Sequence, residues 1–465
     1  MKKELLMMTL CMTLSGYAQT KDGGISDKML KEIQKENELS GVERALVNAI
    51  AANAIDNLAQ NHQNAKALDT HFSVETKSQS ITDQQQSGRC WMFSGMNVLR
   101  NDFNLRTDSL TVEFSQAYLF FWDQLEKANL MLQGVIDTAE KPIDDQRVQF
   151  FFHGPIGDGG TFCGVADLAE KYGLVPKEAM PESFSSDNTS KARQLVSSKL
   201  REYGLQLRDM AQKGKKGVSL DKAKTRMLAQ IYRMLQYTIG EPPQVFTYAF
   251  RNEKGETVGD EKEYTPLSFY QEVVGQPLNG SFIMVMNDPR REYYKTYEVD
   301  FDRHTYDGHN WKYVNLPMDD IEQMAISALK AGRKLYSSYD VGKMLDRKRG
   351  YADTDNYDYG SLFGTSFAMN KAERISTFDS GSTHAMTLTA VDLDKKGNAK
   401  KWKVENSWGA TWGQKGCLIM TDRWFREYMF RLVVPNEFVP KKVMQAYQSA
   451  PVMVMPEDPL FQMDE

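Results

Sequence analysis

Apolar residues recur at helical spacing in several separate windows of the chain. From position 90 onward, Met92, Met96, Leu99 and Phe103 follow at intervals of four, three and four, the stripe of a helix that packs one face inward. The aromatic stretch from Ser115 to Leu132 predicts a second helix beside it. Thr161 to Tyr172 predicts a third, after a turn marked by Gly157, Gly159 and Gly160. From about Ser190 to Tyr237 two helical stretches flank the basic run Lys213 to Lys216, which reads as an antiparallel helical pair joined by a solvated loop. Ile25 to about Ala67, rich in Lys, Glu, Ala, Asn and Leu, suits one or two helices. Pro242 to about Ile326 is mixed, with strand-like VFTYAFR and FIMVMND.

Near the C-terminus the period changes to two. His384, Met386, Leu388 and Ala390 alternate with Thr387, Thr389 and Val391, so His384 opens a half-buried strand. LDKKGNAK then turns the chain, and Trp402, Val404, Asn406 and Trp408 alternate on the returning strand. A hairpin centred near Lys396 sets position 384 opposite 408, with 406 two residues off register on the same face. Helices early and strands late predict an α+β fold.

Composition narrows the classes. A chain of 465 residues is too long for one core of ordinary size, which predicts a main body with a large insertion, or two to three lobes. The apolar fraction of 41% and charged fraction of 26% are those of a soluble globular protein. A net charge of −5 gives no global field toward nucleic acid or an anionic membrane, and no later segment approaches eighteen uninterrupted apolar residues. Neither partner is expected. The start, MKKELLMMTLCMTLSGYAQ, has a charged head, an apolar run from Leu5 to Leu14, and small residues at Gly16 and Ala18. This predicts a signal peptide over 1–18 and an exported protein, periplasmic or secreted; a cytoplasmic protein with a buried N-terminal helix is the alternative. After cleavage Cys90, Cys163 and Cys417 remain, an odd number without disulfide or zinc spacing. His62, His71, His153, His304 and His309 lack partners at ligand spacing and read as ordinary polar or packing residues. No metal and no cofactor are expected.

The chemistry centres on QQQSGRCW. Cys90 stands at a helix start, where the macrodipole and unsatisfied N–H groups favour thiolate over thiol. A cysteine beside Trp91 and Phe93 could simply be core, and alone that reading is the simpler one. His384 and Asn406 on adjacent strands reverse the balance. Amide cleavage needs a nucleophile (Cys90), a base that later protonates the leaving amine (His384) and a group that orients the ring (Asn406). Gln84, six residues before the cysteine, is placed to offer an amide N–H to the oxyanion, together with the backbone N–H of Cys90.

QQQSGRCWMF, THAMTLTAV and WKVENSWGATWG together resemble the papain-like cysteine peptidases, and in particular their bleomycin hydrolase and aminopeptidase C branch. The similarity extends through DGGTFCGVADLAEKYGLVP, IGEPPQVFTYAFR and MNKAER to VPKKVMQAYQSAPVMVMPEDPL, nearly the whole mature chain. Ser87 and Arg89 depart from the papain signature, so the disulfide of its first cysteine is absent. The separation of Cys90 from His384 is about twice the roughly 130 to 150 residues of papain-like enzymes.

The resemblance implies a papain-like two-lobe fold: a helical lobe, an antiparallel β-barrel-like lobe and a large helical insertion. It divides the chain into a signal peptide (1–18), an N-terminal helical arm (19–75), a helical catalytic lobe with the nucleophile (76–185), a helical or mixed insertion (186–330), a β-rich lobe with His384 and Asn406 (331–450) and a C-terminal tail in the active-site cleft (451–465). It further implies a cysteine aminopeptidase acting on peptides, assembled as a homohexamer, with a tail that limits endopeptidase action. Asp158, Gly159 and Gly160 resemble a loop that contacts substrate backbone, and Glu465 would present carboxylate near the incoming ammonium group. A papain-like endopeptidase is the alternative, and a non-catalytic peptide-binding homologue the less favoured one.

Overall fold

The computed structural model describes residues 23–64, 68–107 and 110–461; the signal-like segment 1–18 and Glu465 lie outside them. The chain divides into two compact units, Met1–Gln60 and Asn61–Glu465. In the first unit, three helices occupy the stretch for which one or two were expected: α1 (Asp27–Glu36), α2 (Gly41–Ala52) and α3 (Ile55–Ala59). Ser26 caps α1, and Ser40 with Glu43 forms a capping box on α2. Met29, Leu30 and Ile33 leave an apolar stripe of α1 exposed.

The second unit begins with helices. These are α4 (Cys90–Thr107), α5 (Gln116–Asp137), α6 (Phe162–Tyr172) and the pair α7 (Ser190–Gln212) and α8 (Val218–Thr238). The pair follows the pattern read from the chain: Val196, Leu200, Tyr203 and Leu207 of α7 and Leu220, Ala223, Met227 and Ile231 of α8 are buried. Both helices pack on α5 and on each other.

Helix α4 departs from its expected one-sided burial. Met92, Met96, Leu99 and Phe103 are inside, but so are Asn97, Val98, Asn101 and Asn104 on its other faces. The cause is its central position, packed against three strands as well as α5 and α6. Several of its polar residues are tied there to neighbouring loops. The Arg100 guanidinium, for example, donates to the carbonyls of Val112 and Ser80 and to the side chains of Asn97 and Ser80.

Twelve strands among the described residues form one sheet. They are β1 (Val74–Glu75), β2 (Phe282–Met286), β3 (Lys295–Val299), β4 (Lys312–Asn315), β5 (Leu335–Tyr339), β6 (Leu345–Asp346), β7 (Tyr351–Ala352), β8 (His384–Leu393), β9 (Ala399–Glu405), β10 (Cys417–Thr421), β11 (Met429–Pro435) and β12 (Val452–Val454). Their order is β6-β7-β10-β9-β8-β5-β11-β2-β4-β3-β12, with β1 beside β8. Most pairings are antiparallel; β2 with β4, β7 with β10 and β3 with β12 are parallel. Strand β8 lies inside the sheet between β9 and β5. Two large apolar cores result, one among the helices and one behind the sheet around the helix Met318–Lys330. The start of α4 meets the start of β8 between them.

Candidate active site

The loop before α4 is held at both ends. The Gln84 N–H donates to the Ser407 carbonyl and the Gln86 N–H to that of Asp187, while Gln85 takes a left-handed φ of 50°. Ser87 Oγ donates to the Gln84 carbonyl at 2.6 Å, and Arg89 Nε donates to Ser87 Oγ at 2.9 Å. Arg89 is wholly buried; its other nitrogens reach the Glu182 carboxylate at 2.9 and 3.0 Å and the Ser186 carbonyl at 2.8 Å. Cys90 follows at the first turn of α4, and its Sγ accepts from the Ala385 N–H at 3.4 Å. The thiol therefore lies against β8, next to His384.

The hairpin supplies the other two groups. Thr387 pairs with Glu405 and Leu388 with Val404, after two register shifts nearer the turn, and Trp408 just beyond the ladder bridges Asp83. The His384 and Trp408 rings are 4.7 Å apart. Nε2 of His384 stands 2.8 Å from Oδ1 of Asn406, and both residues are buried. That Oδ1 also accepts the Ser407 N–H at 2.8 Å, which fixes the amide orientation. Nε2 must then carry the hydrogen, leaving the lone pair on Nδ1. Burial pushes the imidazole down to about 4, while the Asn406 bond acts in the opposite direction.

Cys90 and His384 line one cleft of about 640 Å³, with Gln84, Asp158, Gly159 and Gly160. Gln84 is fixed at both ends of its amide: Oε1 accepts from Ser407 Oγ at 2.6 Å and Nε2 donates to the Ser87 carbonyl at 2.5 Å. The amide nitrogen carries a second hydrogen beside that one. The Asp158 carboxylate is turned into the protein, accepting from the Gly88 N–H at 3.2 Å and the Thr189 hydroxyl at 2.5 Å. Its carbonyl accepts from the Trp91 indole at 2.7 Å.

A model of the peptidase C1-like family matches residues 24–461. This chain belongs to that family. It is a cysteine peptidase with a papain-like fold. It is 38% identical to aminopeptidase G of Lactobacillus delbrueckii subsp. lactis over 90% of this chain and 94% of that protein. With human bleomycin hydrolase it shares 37% identity over 83% and 87% of the two chains. The crystal structure of pepw from lactobacillus rhamnosis hn001 superposes with a TM-score of 0.89 at 34% identity, covering 94% and 99% of the chains.

The peptidase's other two described thiols are poor nucleophiles. Burial pushes Cys163 far above its ordinary range and Cys417, half-buried at the start of β10, up to about 11. Its C-terminal segment runs close to the cleft. After β12, Asp458 is gripped by Arg290 and Arg291 at 2.7 and 2.6 Å, Leu460 is buried, and the Phe461 ring faces the Arg431 guanidinium. Arg431 itself lines the cleft. His304, which the sequence presents as an ordinary polar or packing residue, sits beneath the glycine loop, its Nδ1 2.5 Å from Asp123 Oδ1. The glycines of DGGTFCG were its one local trace, since Gly160 and Gly164 both press on its ring.

Proposed function

We propose that this peptidase is an aminopeptidase that releases N-terminal residues from peptides through Cys90, His384 and Asn406. The observation that carries the reading is the Cys90 thiol lying against β8, beside a buried imidazole whose Nε2 is committed to Asn406. His384 Nδ1 takes the thiol proton, and the thiolate supplies the counter-charge that a buried imidazolium requires. Sulfur attacks the substrate carbonyl. The oxyanion collects the Cys90 N–H and the second N–H of Gln84. Collapse breaks the C–N bond as His384 returns its proton to the leaving amine, and water, deprotonated by His384, then cleaves the thioester.

The names of the relatives, aminopeptidase G and aminopeptidase C among them, support exopeptidase action. So does a C-terminal segment anchored next to the cleft, which leaves little room for a chain running through. By this reading the last residues occupy the cleft, Glu465 offers its carboxylate to the substrate ammonium group, and Gly159 and Gly160 contact peptide backbone. Assembly as a homohexamer is part of the proposal, and the exposed apolar stripe of α1 favours self-association; light scattering at six times the chain mass is the expected result. Export with cleavage after Ala18 is expected too, and N-terminal sequencing of the mature protein tests it. The decisive experiment is hydrolysis of aminoacyl fluorogenic amides, free and N-acetylated, by wild type and Cys90→Ala. The wild type should cleave the free amides and spare the acetylated ones, and Cys90→Ala should cleave neither. Equal rates for the two proteins would remove Cys90 as the nucleophile.

A further inference from the structure

The loop Gly157–Thr161 borders the cleft opposite β8, and its backbone is held almost group by group by buried side chains. Lys127 Nζ donates to the Gly157 carbonyl at 2.9 Å, the Gly159 carbonyl at 2.6 Å and Asp123 Oδ2 at 2.9 Å, which uses its three hydrogens. Gln124 Nε2 bridges the Gly157 carbonyl and Asp123 Oδ2, both at 2.9 Å. The Asp158 carbonyl goes to the Trp91 indole, and the Thr161 N–H donates to His304 Nε2 at 3.3 Å. His304 Nδ1 stands 2.5 Å from Asp123 Oδ1, and both side chains are buried.

These contacts fix a tautomer. Nε2 accepts from Thr161, so Nδ1 carries the hydrogen and donates it to Asp123. The His304 ring also packs 4.5 Å from that of Trp91, the residue after the nucleophile. Its position leaves no room for a side chain at Gly160 or Gly164: a Cβ at Gly160 would lie 2.1 Å from His304 Cε1, and one at Gly164 2.3 Å from Cδ2. With three carbonyls and the Thr161 N–H engaged, the loop keeps the N–H groups of Gly159 and Gly160 and the Gly160 carbonyl for a peptide lying in the cleft.

We propose that Asp123, Lys127 and His304 act as positioning residues for substrate, holding the Gly159–Gly160 backbone at the height where it can bond a bound peptide. The proposal deepens the peptidase reading above and rests on it. None of the three touches the reacting atoms. Their effect passes through the loop, so it should appear in substrate binding and alignment while the reactivity of the Cys90 thiol stays as it was.

Asp123→Asn is a near-isosteric test. Oδ2 faces two donors, Lys127 and Gln124, so the asparagine oxygen must stay on that side and its NH₂ must face His304 Nδ1. The ring is then driven to carry its hydrogen on Nε2, where it meets the Thr161 N–H donor to donor. For aminoacyl fluorogenic amides, kcat/KM should fall by about 10-fold to 100-fold in Asp123→Asn and His304→Ala, the scale of a small misplacement of substrate. Iodoacetamide alkylation of Cys90 should stay within about twofold, because it needs no loop contact. His304→Gln keeps an acceptor near the Nε2 position and should recover most of the loss. Should His304→Ala fail to accumulate as folded protein, Asp123→Asn and Lys127→Met carry the test. Wild-type kcat/KM in these variants, or alkylation lost in parallel with turnover, would overturn the proposal. Activity surviving in Cys90→Ala would instead overturn the peptidase assignment of that thiol, so the two failures are distinguishable.

Discussion

At the scale of single residues, the behaviour of the site with pH follows from the burial of His384. A ring held down to about 4 remains neutral, and able to accept the thiol proton, well below the ordinary imidazole value of about 6.5. As pH falls through about 4 the ring takes its proton from solvent and can no longer act as base. The acid limb of kcat/KM should therefore lie near pH 4, and a limb near 6.5 would mean that the imidazole is not desolvated in the working enzyme. Folding linkage has the same sign: the folded value is depressed, so this group's contribution is complete above about 6.5 and lost as pH falls toward 4. Asn406→Ala removes the acceptor that favours the charged ring and frees the ring to turn. That variant should lose about 10-fold to 100-fold in kcat and shift its acid limb further down, which a pH series on the two proteins would resolve. An unshifted limb with unchanged kcat would mean that Asn406 does not orient His384.

At the scale of elements, the loop entering α4 shows what replaces a disulfide. Arg89 ties Ser87 of its own loop to Glu182 and Ser186 from full burial, so two distant segments of chain meet on one guanidinium. Removing one partner of such a pair leaves a charge without compensation, at a cost of about 3–5 kcal/mol. Glu182→Ala should lower the midpoint of denaturant unfolding and slow alkylation of Cys90 together, whereas added dithiothreitol should change neither in the wild type. Arg89 was visible in the sequence only as a departure from the papain signature; its partners, almost a hundred residues on, were not. The hairpin was legible because its information is local, a period of two and a Lys-Gly turn; the two register shifts between that turn and Leu388 were not. The stripe on α4 located the helix but not its burial, since a helix wedged between sheet and helices hides polar residues that pattern assigns to solvent. Strands β2 and β4 join the main sheet through β11, more than a hundred residues later, and no local pattern encodes that pairing. His304 read as an ordinary polar or packing residue for the same reason, because Asp123 and the glycine loop approach it only through the fold.

At the scale of the whole molecule, the proposed exopeptidase action is tied to the segment that follows β12. Asp458 is held by two arginines that also grip Asp288, and Leu460 is buried, so the segment is fixed up to Phe461 beside Arg431. Cutting at Leu460 would empty a core position and confuse loss of the tail with loss of packing. A truncation that keeps Phe461 removes Gln462 to Glu465 with the Glu465 carboxylate, moves the chain terminus back to Phe461 and leaves the anchor. This shortened protein should gain hydrolysis of N-acetylated peptides by about 10-fold or more relative to free aminoacyl substrates, because one ammonium–carboxylate contact in a desolvated cleft is worth a step of that size. Asp458→Ala should move the ratio in the same direction by a smaller amount: Asp288 retains the arginines, but the tail loses its tether. The ratio of acetylated to free substrate turnover cancels any general loss of activity. If it stays constant across wild type, truncation and Asp458→Ala, the tail does not select for free N-termini, and the preference must come from the cleft walls.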